Sequence, residues 1–291
     1  WHDQRVKPAP FTYHRPATLD EALDTLAEVG GDGKVLAGGQ SLVPLLSMRL
    51  ASPGHLVDIN RLTELAHVTS GEDGVRVGAI ARHAGVEKDD AARRTQPLLA
   101  QALAHVAHPA IRNRGTPVGS IVHADPAGEL TGVLAVTGGT VTLASMNGTR
   151  VVPAHEFFVG PLESALRHGE LAVEAFVPSL AALAPTPDTR LGTAFVEVAR
   201  RHGDYAVCGV AAIVGLAPAP DPGVVLARVG YVSMGPTPVV VDLVEAGADL
   251  SAAALGKLRG TRRRADLTHP DAWLPAADLA ASRTEPEADI H

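Results

Sequence analysis

The 291-residue sequence predicts an α+β protein, with α/β units at its start and a strand-rich segment followed by helices at its end. Three observations carry that expectation. Lys34 to Arg49, KVLAGGQSLVPLLSMR, joins a short apolar strand to an apolar helix through Gly38–Gly39. Around it, residues 1–60 alternate helical and extended patterns. Beyond the proline-rich stretch 178–190, three strand-like runs succeed one another before alanine-rich sequence.

Residues 7–17, KPAPFTYHRPA, read as an extended entry. Thr18-Leu19-Asp20-Glu21 has capping-box spacing, Leu19, Leu23 and Leu26 follow at helical intervals, and Gly30–Gly31 ends that helix. Lys34 to Ala37 is a strand. Ser41 is the expected N-cap of a helix through Leu50, with Pro44 inside the tolerated first turn. His55 to Asn60 and Gly74 to Ile80 are strands. His83 to Val106 is mostly helical, with Pro97 opening a second helix. Asp125–Pro126 is a helix start for Leu130, Val133 and Leu134, stopping at Gly138–Gly139. Thr140 to Ser145, Asn147–Gly148 and TRVVP form a hairpin with a primed turn. Glu170 to Val177 is one more strand.

This pattern divides the chain into a first domain over 1–177, with subdomains of about 1–60 and 61–177, a linker over 178–190, and a second domain over 191–291. In the second domain FVEVARR, YAVCGVAAIVGLA and VLARVGYVSMG are strands, and helices follow from Val239 onward.

Composition excludes several functions. A net charge of −7 without a long basic block argues against a nucleic-acid partner. No apolar run reaches the ~18 residues of a membrane span, and residues 1–20 lack a secretory pattern. The chain begins at Trp1, so its start is read as processed, tagged or incomplete. Cys208 is the sole cysteine, which excludes a disulfide framework or an iron–sulfur cluster held by this chain and suits the cytoplasm. His105, His108 and His123 lack ligand partners at metal spacing, so no metal site is expected.

A strand, a tight glycine turn and a helix start together favour an anion, because free N–H groups and the positive helix end converge there. The G-x-G-x-x-G and Gly-Lys-Ser/Thr phosphate loops are both absent. A plain surface turn is the competing reading of Gly38–Gly39.

Five separated segments resemble the FAD-binding medium subunits of molybdenum hydroxylases, typified by the carbon monoxide dehydrogenase flavoprotein. They are Ala37 to Arg49, LVDINR (Leu56 to Arg61), HPAIRNRGT (His108 to Thr116), HADPAGEL (His123 to Leu130) and ARRHGDYA (Ala199 to Ala206). The resemblance implies a two-subdomain FAD-binding domain of the PCMH (vanillyl-alcohol-oxidase-like) type, then a domain with a three-stranded antiparallel sheet and helices. It implies FAD contacts at Leu36, Ala37, Gly38, Gly39, Gln40, Ser41 and Leu42, and at Thr116, Val118, Gly119 and Ser120. Ala124, Asp125, Asp204 and Tyr205 join them, Tyr205 being equally readable as core. It implies no catalytic residue and no metal, since flavin redox chemistry belongs to the cofactor.

By the same resemblance an iron–sulfur subunit and a molybdenum-cofactor subunit are partners, and the flavin passes electrons to a final acceptor. A stand-alone FAD oxidoreductase acting on a small organic substrate is the second reading, and a flavin-free binding protein the third. Where the family has Gly-Thr-Val/Ile-Gly-Gly-Ser, this chain has Gly115-Thr116-Pro117-Val118-Gly119-Ser120. A β-branched residue at a left-handed glycine position would be strained, so a displaced loop with weaker FAD binding is expected, relieved by Val118→Gly. Ser233-Met234-Gly235-Pro236-Thr237-Pro238 stands where the family has Gly-Gly-Val-Gly before a Thr/Arg-x-Pro step, and EPEADIH (Glu285 to His291) resembles a segment that an arginine-rich helix usually follows.

Overall fold

The computed structural model describes residues 7–218, 223–248 and 250. In chain order its first elements are β1 (Thr12–His14), α1 (Leu19–Val29), β2 (Gly33–Leu36), α2 (Leu42–Ser47) and β3 (His55–Asp58). The three strands form a parallel sheet in the order β1-β3-β2, which requires the helical crossovers that α1 and α2 supply. Thr18 caps α1 by accepting the Glu21 N–H at 3.2 Å, while the Glu21 carboxylate accepts from Ala17 N–H at 2.7 Å. Ala22, Leu23 and Leu26 bury one face of this helix, and Gly30 ends it at φ 55°.

Next come β4 (Val68–Ser70), β5 (Gly74–Gly78), α3 (His83–Lys88), α4 (Asp90–Thr95), α5 (Pro97–Leu103), α6 (Pro109–Arg112), α7 (Pro117–His123) and α8 (Glu129–Thr137). Then follow β6 (Thr140–Ser145), β7 (Gly148–Pro153), α9 (Ala154–Phe157), β8 (Phe158–Gly160), β9 (Glu163–Ser164) and β10 (Leu171–Pro178). A five-stranded antiparallel sheet has the order β4-β5-β10-β6-β7. The last elements, β11 (Arg190–Val198), β12 (Cys208–Leu216), β13 (Val224–Val232) and β14 (Val239–Asp242), make a four-stranded antiparallel sheet in sequence order.

Helix α8 lies against both antiparallel sheets, burying Leu130, Val133, Leu134 and Val136 in one continuous core. Its close approach to β13 needs a missing side chain: a Cβ on Gly132 would stand 2.6 Å from Val232 Cγ1.

Several sequence expectations are corrected by tertiary context. Helix α2 stops at Ser47, and Met48 and Leu50 are exposed beyond it. His83 to Val106 is three short helices. Asp89 caps α4 through Ala92 N–H at 2.8 Å, and Gln96 is held extended (φ −140°, ψ 86°) by the following Pro97. The buried Gln96 side chain then donates to Pro178 O at 2.8 Å. The expected hairpin is present between β6 and β7, but only Gly148 has a positive φ (110°), so the turn is not of the primed type. Of the proline-rich stretch, Pro178 closes β10 and Arg190 opens β11. Val239–Asp242 is a fourth strand rather than helix. The helices expected after Asp242 fall mostly outside the described residues, as does EPEADIH.

Candidate functional site

The first wall of the site is the turn after β2. The Leu36 carbonyl accepts from Ile59 N–H at 3.1 Å, and the Ala37 carbonyl accepts from Asn60 Nδ2 at 2.8 Å. The chain then turns through Gly38 and Gly39, the latter left-handed at φ 72°. Gln40 Nε2 closes the turn on Gly38 O at 2.9 Å, and Val43 N–H reaches Gly39 O at 3.0 Å. Among the described residues, the N–H groups of Gly38, Gly39, Gln40, Ser41 and Leu42 find no acceptor, which leaves five consecutive donors for a ligand. Ser41 does not cap α2 with its side chain: it is already helical (φ −95°, ψ −44°), and its hydroxyl faces the Tyr205 phenol instead.

Gly38 has a further role. A Cβ there would lie 2.5 Å from Arg114 O and 2.6 Å from Gly115 Cα. The residue is small because two stretches of backbone touch, whatever a phosphate requires.

The second wall, Thr116 to Ser120, is the start of α7 and not an open loop. Thr116 is its cap, accepting from Gly119 N–H at 3.1 Å, and Pro117 occupies the first helical position. Val118 is helical, 2% exposed and outside the left-handed region, so the expected backbone strain is absent. Its side chain belongs to the core. Gly119 is small because a Cβ would meet Thr116 Oγ1 at 2.6 Å. Ser120 Oγ stands 3.1 Å from His83 Nε2. Burial, helped by the Arg112 charge, lowers the His83 pKa to about 4, so this imidazole is neutral near pH 7.

The third wall joins two distant segments. Asp125–Pro126 does not start α8, which begins at Glu129 with Gly128 as its cap. Ala124 is instead left-handed (φ 53°), and Asp125 Oδ1 accepts from Ala127 N–H at 2.9 Å in a turn. Ser233, itself left-handed at φ 60°, donates its N–H to Pro126 O at 2.8 Å and its hydroxyl to Ala206 O at 2.7 Å. That bridge fixes the 199–206 loop beside Asp125. Tyr205 is 64% exposed; the partial burial of its phenol, then the Asp125 charge, push its pKa above the usual range. Asp204 is exposed and donates its N–H to Arg201 O at 3.1 Å.

Glu129, Glu197, Asn60, Arg82 and His83 were not among the expected site residues. Glu129 opens α8, and its pKa is raised to about 7 by burial and by the charges of Glu197 and Asp125. Glu197 is 5% exposed at its side chain; Oε1 is 3.3 Å from His105 Nδ1, while Oε2 is buried without a partner among the described residues. Its alternation within FVEVARR was the only available signal. His108 packs at 6.2 Å against His202 and under Gly203, and the described residues hold no group of three potential metal ligands.

Free backbone donors at Gly38 to Leu42, a turn pressed on Arg114–Gly115 and the Arg82 and Arg114 cations suit a protein that binds an anionic ligand. Residues 9–180 match the model of the FAD binding domain in molybdopterin dehydrogenase, and the chain belongs to that family; its cofactor is FAD and its class FAD-dependent oxidoreductase. The chain is 41% identical over 241 residues to the caffeine dehydrogenase subunit beta of Pseudomonas sp. (strain CBB1), covering 82% of this chain and 78% of that one. It is 44% identical over 211 residues to the 6-hydroxypseudooxynicotine dehydrogenase complex subunit alpha of Paenarthrobacter nicotinovorans, covering 72% and 69%. Its fold superposes on a carbon monoxide dehydrogenase structure from Hydrogenophaga pseudoflava with a TM-score of 0.81 at 32% identity, covering 97% of this chain and 90% of that one. Among the described residues no helix is long and apolar enough to cross a membrane.

Proposed function

We propose that this chain is the FAD subunit of a multi-subunit molybdenum hydroxylase, taking electrons from an iron–sulfur subunit and delivering them to a final acceptor. The observation that carries the reading is the run of five unpartnered N–H groups at Gly38 to Leu42, pressed against the Arg114–Gly115 backbone. A diphosphate held by backbone donors needs no arginine fork, since each charge-assisted hydrogen bond contributes about 1.5–3 kcal/mol. The bound flavin supplies the redox chemistry.

The chain's own residues bind and orient. Leu36 to Leu42 form the diphosphate turn. Thr116, Gly119 and Ser120 wall it from the α7 side, with Val118 contributing backbone only. Ala124, Asp125, Asp204 and Tyr205 line the far end, where Tyr205 is exposed. This assignment uses a FAD-binding domain over 1–177 and a separate domain over 191–291. Partner subunits carrying the cluster and the molybdenum cofactor suit a chain whose one cysteine cannot hold a cluster. The same cysteine content suits the cytoplasm.

The stand-alone alternative rests on the departures at Pro117–Val118 and Ser233–Met234; the first pair folds as an ordinary helix start and lends it no support, and Ser233 bonds Pro126 and Ala206. Purification from cells expressing the neighbouring subunits tests the main reading. Stoichiometric FAD together with a co-purifying iron–sulfur chain and molybdenum chain is expected. Reduction of the isolated chain's flavin by an organic substrate, with no partner present, refutes it.

A further inference from the structure

Of the two turns that meet at Gly38, one follows β2 and the other joins α6 to α7, and something must hold their gap fixed. Gly38 clears the Arg114 carbonyl by lacking a Cβ. That same carbonyl accepts from one arm of the Arg82 guanidinium at 2.6 Å, and the other arm donates to Asn60 Oδ1 at 2.6 Å. Asn60 passes the connection on, donating Nδ2 to Ala37 O at 2.8 Å, the residue just before the glycine pair.

Asn60 is itself fixed. Its Nδ2 and its backbone N–H both reach Asp58 Oδ1, at 2.6 and 2.9 Å, and the other oxygen of Asp58 accepts from Tyr13 OH. Behind Arg82, His83 N–H donates to Gly115 O at 3.0 Å, so the start of α3 grips both residues of the second turn.

We propose that Arg82 is a positioning residue whose guanidinium fork sets the gap between the Gly38–Gly39 turn and the Arg114–Gly115 turn. The inference rests on the FAD reading above. A planar fork serves two acceptors in fixed directions at once, whereas a lysine ammonium keeps the charge without that geometry. Neither acceptor is a carboxylate, so the contact is not an ordinary ion pair. With the fork gone, Asn60 loses its outer partner and the two turns separate. The ligand must then reassemble them at the expense of its own binding.

The test titrates FAD, and separately ADP, into the flavin-free full chain of wild type, Arg82→Lys and Arg82→Gln, with far-UV circular dichroism and thermal melting of each. Both variants are expected to stay folded and to weaken FAD and ADP by the same factor, about ten- to hundredfold, because the diphosphate is common to both ligands. A lysine variant within about twofold of wild type assigns the effect to charge and overturns the proposal. So does weakening confined to FAD, or loss that only tracks the unfolded fraction. A wild-type chain that binds neither ligand sinks the FAD reading instead. The clamp is then read by hydrogen exchange at Val43 and His83, whose N–H groups bond the two turns. Faster exchange in Arg82→Gln supports it, and unchanged exchange refutes it.

Discussion

Replacing Glu129 by Gln should make the isolated, flavin-free chain more stable at pH 8 and leave it little changed at pH 4.5. The carboxyl has an ordinary pKa of 4.5 and is raised to about 7 in the fold, first by burial and then by Glu197 and Asp125. Above pH 4.5 the unfolded chain releases this proton while the folded chain keeps it, so stability falls as pH rises from 4.5 to about 7 and is level beyond. The interval between those values corresponds to at most about 3 kcal/mol, reduced to ~1–2 kcal/mol by water at the partly exposed carboxyl. Three neighbouring groups shape the effect. Glu197 is close and paired with His105, Asp125 lies on the preceding turn, and the Tyr205 phenol is itself raised by Glu129. Glutamine keeps the shape and removes the charge. Urea denaturation at pH 4.5, 6 and 8 measures the difference. Parallel stability–pH curves for wild type and variant over this interval would refute the assignment of that proton to Glu129.

Other substitutions separate the roles derived above. Gly38→Ala drives a methyl group to 2.5 Å from Arg114 O, backbone that cannot swing aside, so ~1–3 kcal/mol of stability and most bound flavin should be lost, read by melting and by flavin absorbance. Val118→Gly should cost about 2–4 kcal/mol by opening a cavity and placing glycine in a helix, and should not tighten FAD; tighter binding would restore the displaced-loop expectation. Ser233→Ala removes the hydroxyl bond to Ala206 O, with an expected loss of about 1 kcal/mol and greater mobility of the Tyr205 loop, visible as faster hydrogen exchange at Val207.

Local physics made the Gly38–Gly39 turn legible: apolar strand, glycine pair and apolar helix are all sequence patterns and occur in that order, although the helix stops at Ser47 and lacks a side-chain cap from Ser41. What those glycines avoid was not legible. The atom nearest a Gly38 Cβ belongs to Arg114, from another sheet's connection, and no window of sequence contains both. The same limit explains Val118. Departure from a family pattern signalled strain, but strain depends on φ, and Thr116 with Pro117 starts a helix in which valine is merely buried. Asp125–Pro126 failed for a related reason: its local turn chemistry is real, but Asp125 Oδ1 spends itself on Ala127, and α8 starts three residues after Pro126.

The segments LVDINR and HPAIRNRGT were recognised separately, as family landmarks. The structure turns them into one device, because Asn60 from the first and the Arg114 carbonyl from the second share the Arg82 fork. That arrangement also accounts for the tolerance of Pro117–Val118. If the gap between the turns were set by a glycine-rich second loop, a proline and a valine there would loosen the site. Here the gap is set before that pair, by Arg82 on Arg114 O and His83 on Gly115 O, and the helix that follows is anchored by the Thr116 cap and by Val118 in the core. Positions 117 and 118 therefore need not be glycine: they start a helix, and both side chains are buried, whereas Gly38 and Gly115 are held small by backbone and by His83 Cδ2 at 2.8 Å.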